Sequence, residues 1–162
     1  MPLTKPAALT EAMDRTTFNS GDDLLDGWLR HRALEHQQDR TTNTFVILDA
    51  DRIAGYYCLA TAAVERIPGS RRRSRRPTEP VAAMFVGRLA VDLRYQGRGI
   101  GARLVRDAVM RSLTVHRMVG LPLLLAHAMR EPGRAFYRHV GFRDARFDPY
   151  LLALPLRAVA GG

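Results

Sequence analysis

The sequence predicts a mixed α/β domain in which helices cover a sheet, and three observations predict it. Two apolar runs within residues 44–64 flank a short polar turn, as in a β-hairpin. Amphipathic stretches at helical spacing alternate with strand-like runs along the rest of the chain. With 162 residues, 46% hydrophobic and 25% charged, the chain has the length and composition of a single globular domain, read here as 1–162.

Ser20, Gly21, Asp22 and Asp23 read as a helix start, with Ser20 and Asp23 spaced as a capping box. Leu24, Leu25, Trp28 and Leu29 then share one helical face, and the helix is expected to run to about Gln37. Trp28 is read as core. The run Thr44, Phe45, Val46, Ile47, Leu48 is strand-like, residues 49–52 are a turn, and Ile53 to Val64 is the second hairpin strand. Residues 66–80 break the pattern: Pro68, Gly69, Pro77 and Pro80 enclose Arg71, Arg72, Arg73, Ser74, Arg75 and Arg76. Like charges so dense repel one another and cannot pack, so an exposed basic loop is expected.

Val81 to Leu93 is the longest β-like segment. A glycine-rich turn follows, then a helix whose apolar face is Ile100, Leu104, Val105, Ala108, Val109 and Leu113. Leu121 to Ala128 is a short strand. Pro132 suits the first turn of a further helix, Phe136 and Val140 are its i,i+4 pair, and Gly141 stands where helices end. Phe142 onward and residues 150–156 complete the strands. No internal repeat is visible.

Composition narrows the function. The net charge is +9, and of the 25 basic residues only Lys5 is a lysine. High-GC coding explains a preference for arginine over lysine. It does not explain the excess of positive over negative charge, which predicts attraction to polyanions such as nucleic acid. Cys58 is the one cysteine, set in an apolar run and read as a small buried hydrophobe. His31, His36, His116, His127 and His139 have no paired metal spacing, so no metal site is expected. There is no signal peptide and no run of ~18 apolar residues. The expectation is a cytoplasmic protein that does not meet a membrane.

Gln96, Gly97, Arg98, Gly99, Ile100 and Gly101 lie between a strand and an amphipathic helix. Glycines there allow positive φ, and successive N–H groups at a helix start can cradle a phosphate. Arg98 would add a cation. No Gly-Lys-Ser/Thr follows, so this is not a P-loop. Residues 97–102 also fit a loose dinucleotide fingerprint. That reading wants an acid about 20 positions on, and after Asp107 the next acid is Glu131.

These residues resemble the GNAT family of N-acetyltransferases, whose signature is Gln/Arg-x-x-Gly-x-Gly/Ala after a long strand. Here it reads Gln96, Gly99, Gly101. The segment Ala135, Phe136, Tyr137, Arg138, His139, Val140, Gly141, Phe142 is similar to the family's Phe-Tyr-x-x-x-Gly-Phe element. Three further stretches resemble the acetyltransferase toxins of bacterial toxin–antitoxin pairs: Phe18, Asn19, Ser20, Gly21; Ile53, Ala54, Gly55, Tyr56, Tyr57; and Gly87, Arg88, Leu89, Ala90, Val91, Asp92. Similarity runs from about residue 18 to 156.

The resemblance implies the GNAT fold, a mixed and mostly antiparallel central sheet covered by helices. It implies acetyl-coenzyme A as acetyl donor and, for the toxins, the α-amine of an aminoacyl-tRNA as acceptor, with translation blocked. A ribbon-helix-helix antitoxin and a homodimer are the implied protein partners. Leu89, Ala90 and Val91 would offer backbone groups to the pantetheine arm. Residues 96–101 would hold the pyrophosphate with Phe136 beside the cofactor, and Tyr137 would face the thiol as general acid. Arg72, Arg73, Arg75, Arg76 and Arg88 are candidate tRNA contacts. The arginine run is longer and more basic than the subfamily leads one to expect.

Acetyl transfer from a thioester needs a neutral amine, a stabilised oxyanion and a proton for the leaving thiolate. An unperturbed tyrosine, pKa ~10, is protonated at neutral pH and can donate. On spacing alone Tyr137 reads equally as an aromatic packed beside Phe136. No carboxylate is an obvious base: Glu65 and Glu79 flank the basic loop, and Asp92 ends the long strand, where a turn or capping role is expected. An α-amine, pKa ~7.7–8.0, is partly neutral at pH 7 without a base. Two other readings stand beside aminoacyl-tRNA acetylation: a GNAT enzyme for a small or protein amine, and a non-catalytic nucleic-acid-binding module. The arginine run itself reads as a solvated loop, a nucleic-acid contact or an antitoxin contact.

Overall fold

Helix α1 (Asp23–His31) starts where Asp22, in extended backbone, accepts hydrogen bonds from the N–H groups of Leu24 and Leu25. Asp22, and not Ser20, is therefore the cap. The Ser20 hydroxyl is committed elsewhere, donating to Asp26 Oδ1 at 2.7 Å. The expected single helix to Gln37 is two. Arg32 leaves helical geometry at φ −123°, and α2 (Ala33–Gln38) follows. Trp28, Leu29 and Ala33 are buried, while Leu24 is 70% exposed. With ~100° per residue, a face centred on Leu25 and Leu29 leaves Leu24 at its margin, so the predicted apolar face loses one member.

The computed structural model describes residues 2–64, 80–145 and 148–161. Alongside the helices it contains β1 (Ala7–Ala8), β2 (Asn43–Asp49), β3 (Arg52–Val64), β4 (Val81–Val91), β5 (Leu123–His127), β6 (Arg143–Asp144) and β7 (Leu151–Pro155). The sheet order is β1-β2-β3-β4-β5-β7-β6. The pairs β1–β2, β2–β3, β5–β7 and β6–β7 are antiparallel. The fold is the mixed, mostly antiparallel α/β class that the sequence predicts. By internal contacts the chain forms two compact units, one of Met1–Ala60 and Val86–Met110, the other of Thr61–Phe85 and Arg111–Gly162.

In the first unit the hairpin is as expected, with Asp49 opposite Arg52 and a two-residue connection, Ala50 and Asp51. Strand β4 stops at Val91 because Asp92 turns the chain. Its carboxylate accepts from the Arg94 N–H and opens a 3-10 turn, Leu93–Tyr95, the capping role expected of it. Helix α3 (Ile100–Val119) begins in this unit. A core of Leu9, Phe18, Trp28, Leu29, Val46, Ile53, Tyr56 and Cys58 fills it. Burial holds the Cys58 thiol above its usual pKa, so it is the inert hydrophobe that the apolar run suggests. Gly55 marks the tightest approach. A Cβ there would sit 3.1 Å from Ile100 Cγ2 and Leu104 Cδ1 and 3.2 Å from the Ala90 carbonyl oxygen.

In the second unit Ala83, Leu125, Ala145 and Leu151 are buried together. Helix α4 (Glu131–His139) is tied to β6 by Asp144, which accepts from Arg134 Nη2 at 3.1 Å and from Arg138 Nε at 2.8 Å. Helix α5 (Leu156–Ala160) and β1 were not foreseen. Two residues carry no periodicity, and of α5 only Leu156 falls within an expected element, the strand run 150–156. Among the described residues no helix is long and apolar enough to cross a membrane.

The Gly55 contact yields a test of packing. Gly55→Val forces three extra carbons between β3 and the first turn of α3, and should destabilise the protein by about 2–3 kcal/mol. Chemical denaturation would report it as a lower midpoint with an unchanged slope.

Candidate active site

The glycine-rich turn is built by what precedes it. The Asp92 carboxylate is 1% exposed and accepts from the Asn19 N–H at 3.0 Å, the Arg94 N–H at 2.9 Å and Arg94 Nε at 3.1 Å. Burial works to raise its pKa, but the Arg94 side chain and the two backbone N–H groups outweigh it and hold the carboxyl below its ordinary value. The Asn19 carbonyl in turn accepts from the Leu93 N–H at 2.8 Å. Gln96 then crosses back: its Nε2 donates to the Val91 carbonyl at 2.8 Å and to the Ser20 carbonyl at 3.2 Å.

Gly97 and Gly99 follow at φ 80° and 77°, a conformation that costs any other L-residue about 1–2 kcal/mol. A Cβ at either would meet nothing within 4 Å, so both open onto free space where an anion can approach the backbone. Ile100 is buried and fixes the start of α3. The first turn of that helix leaves N–H groups without intrahelical partners, and its dipole favours negative charge there. Arg98 is exposed, with its guanidinium carbon 5.4 Å from the Tyr95 ring centroid. The turn therefore fits a diphosphate. Gly101 lies in α3 itself, as the second helical residue.

Leu89, Ala90 and Val91 end β4, with Ala90 buried and its neighbours half-buried. The Val91 carbonyl is the one that Gln96 holds. Arg88, just before them, is half-buried, and its guanidinium carbon lies 4.7 Å over the Trp28 ring. Trp28 also stacks on Tyr56, ring centroids 6.1 Å apart at 12°. It is core, as read.

Tyr137 is a buried residue of α4 whose ring lies 5.4 Å from those of both Phe136 and Phe142, at 60° and 59°. Phe136 is half-buried. Gly141 reverses the chain, and the Phe142 N–H donates to the Tyr137 carbonyl at 3.0 Å. The Phe-Tyr-x-x-x-Gly-Phe segment is thus a closed loop of three aromatics that fixes one tyrosine. Arg72, Arg73, Arg75 and Arg76, with Glu65 and Glu79, lie outside the described residues. Among the described residues no group of three or more His, Cys, Asp or Glu side chains is placed to hold a metal ion.

Sequence reasoning missed Asp26. It is 2% exposed and accepts from the Ser20 N–H and hydroxyl. Spacing gave little signal: at ~100° per residue Asp26 falls about 60° beyond Leu29, outside the arc of Leu24, Leu25, Trp28 and Leu29. The Tyr57 hydroxyl donating to Asp107 Oδ2 at 2.6 Å, which ties α3 to β3, had none.

Comparison with known proteins bears on the family and the fold. The acetyltransferase (GNAT) domain model matches residues 40–144. A tRNA-acetylating toxin of Mycobacterium tuberculosis is 37% identical over 152 residues, 94% of this chain and 92% of that protein. The crystal structure of AtaTR bound with AcCoA superposes with a TM-score of 0.85 at 25% identity, covering 98% of this chain and 96% of that one. AtaT complexed with acetyl-methionyl-tRNAfMet superposes with a TM-score of 0.88 at 24% identity, covering 98% of each chain.

The depressed pKa of Asp92 makes stability depend on pH. Its contribution is complete above the unfolded value of ~3.9 and is lost as pH falls through the lower folded value. Asp92→Asn should lower the melting temperature at pH 7 and flatten its decline as pH falls below the unfolded value of ~3.9. A parallel decline in both proteins would show that Asp92 carries none of the acid sensitivity.

Proposed function

This chain belongs to the GNAT family of acetyltransferases, and on that premise we propose that it transfers acetyl from acetyl-coenzyme A to the α-amine of an aminoacyl-tRNA, blocking translation. The observation that carries this reading is the 37% identity, over 94% of the chain, to a tRNA-acetylating toxin. The open, positive-φ turn at Gly97 and Gly99 supports a diphosphate-bearing donor. The net charge of +9 supports a polyanionic acceptor.

Residues 96–101 hold the pyrophosphate through backbone N–H groups, with Arg98 as a side-chain cation. The backbone of Leu89, Ala90 and Val91 aligns the pantetheine arm, and Phe136 packs beside it. Bound acetyl-coenzyme A supplies the thioester. The acceptor α-amine attacks in its neutral form, the carbon–sulfur bond breaks, and the Tyr137 hydroxyl gives its proton to the departing sulfur. The amine's surplus proton passes to solvent, from which Tyr137 is reprotonated. No carboxylate base is required, because an α-amine of pKa ~7.7–8.0 is partly neutral at pH 7.

Arg72, Arg73, Arg75, Arg76 and Arg88 are the proposed contacts to tRNA phosphates, an attraction that weakens with salt. A ribbon-helix-helix antitoxin and a second copy of the chain are the proposed protein partners. The toxin among the relatives supports an antitoxin partner; its ribbon-helix-helix type and the second copy rest on the resemblance of the sequence motifs. The protein is proposed to act in the cytoplasm, where charged tRNA is found.

Incubation with radiolabelled acetyl-coenzyme A and total charged tRNA, with deacylated tRNA as control, tests the acceptor. Label on charged tRNA alone is expected. Acetyl-coenzyme A turnover without labelled tRNA would instead favour a small or protein amine. Tyr137→Phe should lower kcat by about 10²–10⁴-fold with little change in KM for acetyl-coenzyme A. Undiminished turnover would remove Tyr137 from the mechanism. The rate should rise with pH and level off near pH 8, as the α-amine loses its proton; continued rise to pH 10 would point to a lysine acceptor.

A further inference from the structure

The stretch Phe18, Asn19, Ser20, Gly21 has no part in the chemistry above, yet both polar side chains and both carbonyls of its middle residues are engaged. Asn19 is bound to the end of β4 through Asp92 and Leu93, and its own Oδ1 accepts from the Gly21 N–H at 3.0 Å. Ser20 is gripped by Asp26. Oδ1 accepts from the Ser20 N–H at 3.0 Å and from its hydroxyl at 2.7 Å, and Oδ2 lies 3.1 Å from the same N–H. The Ser20 oxygen also accepts from the Asp22 N–H at 3.2 Å, inside the loop that caps α1. The Ser20 carbonyl then points to Gln96 Nε2, whose other acceptor is Val91.

We propose that Asp26 is a positioning residue for the donor site: through Ser20 it fixes the side chain of Gln96, and Gln96 so held sets the backbone conformation of the turn at 97–101 that receives the pyrophosphate. This rests on the reading of that turn as the acetyl-coenzyme A site. An amide nitrogen has two protons, and Gln96 directs its Nε2 at the two carbonyls that flank the turn. The side chain therefore acts as a brace, leaving contact with the ligand to the backbone N–H groups. Asp26 is buried, and a negative charge there would by itself disfavour a pyrophosphate at the turn. Its benefit is orientation, and the two effects have opposite signs on substitution.

Asp26→Asn removes the charge and places an NH₂ against the Ser20 N–H, two donors facing each other. Lost orientation predicts a KM for acetyl-coenzyme A raised about tenfold, the scale of one charge-assisted hydrogen bond. It leaves kcat at saturating donor and KM for charged tRNA within twofold. Coenzyme A affinity by calorimetry should fall in parallel. Gln96→Met, which keeps the length and removes both donors, should produce the same rise. The double variant should be no worse than either single one, because the two substitutions break one relay.

An unchanged or tightened coenzyme A affinity in folded Asp26→Asn would overturn the relay while leaving the donor site intact. Equal rises in both KM values, or additive effects in the double variant, would overturn it as well, reducing Asp26 to general stability. Absence of coenzyme A binding by the unsubstituted protein would instead sink the donor-site reading, and the relay with it. Should Asp26→Asn fail to fold, Ser20→Ala removes the hydroxyl's bonds to Asp26 and to the Asp22 N–H but leaves the Ser20 N–H on Asp26, and its donor KM must rise by a smaller factor in the same direction.

Discussion

Two carboxylates that the fold has withdrawn from water, Asp26 on α1 and Asp92 at the end of β4, must be satisfied by hydrogen bonds. Both find donors on neighbouring residues, Asn19 and Ser20. A buried charge left unpaired costs several kcal/mol, so the chain between Phe18 and Asp22 has little freedom to lie elsewhere. Much follows from that constraint in the first compact unit. The Asp26 contact sets where α1 begins, because Ser20 is taken and the cap passes to Asp22. The Asp92 contact ends β4 and starts the 3-10 turn. Where those two meet, Gln96 bridges the Ser20 and Val91 carbonyls, and the glycine turn takes its shape.

The second requirement is close approach. An anion-binding turn is useful only if the helix behind it is rigidly seated, and α3 is seated on Gly55. With no side chain there, Ile100 and Leu104 come within van der Waals contact of the β3 backbone. The hydrogen bond from Tyr57 to Asp107 pins the same helix further along. Ile100 is the first helical residue and Gly99 immediately precedes it, so apolar packing on one side of the helix start fixes the N–H groups offered on the other. Apolar burial and the proposed phosphate recognition are coupled across a single residue.

Arginine serves two ends in this molecule. Arg94 neutralises Asp92, and Arg134 and Arg138 neutralise Asp144. These have roles within the fold, which a net charge of +9 does not distinguish from phosphate-seeking ones. The planar guanidinium suits both tasks, since it can share a carboxylate in a fork and stack on an aromatic face.

The sequence by itself determined the α/β class, the β2–β3 hairpin, the amphipathic face of α3, the glycine turn before it and the family. Each of these is written in local spacing: period 2 or period 3.6, a glycine where φ is positive, an aromatic pair before Gly141. Tertiary structure decided the rest. Ser20 and Asp23 have capping-box spacing, but a buried Asp26 competes for the serine hydroxyl, and spacing cannot rank two acceptors. Leu24 satisfies the helical period yet lies at the margin of the buried face, which only the position of the sheet defines. The link between residues 19–20 and Gln96 spans 76 positions of chain. It is legible only when folding has brought the end of a strand and the approach to a helix together, because hydrogen bonds report distance in space.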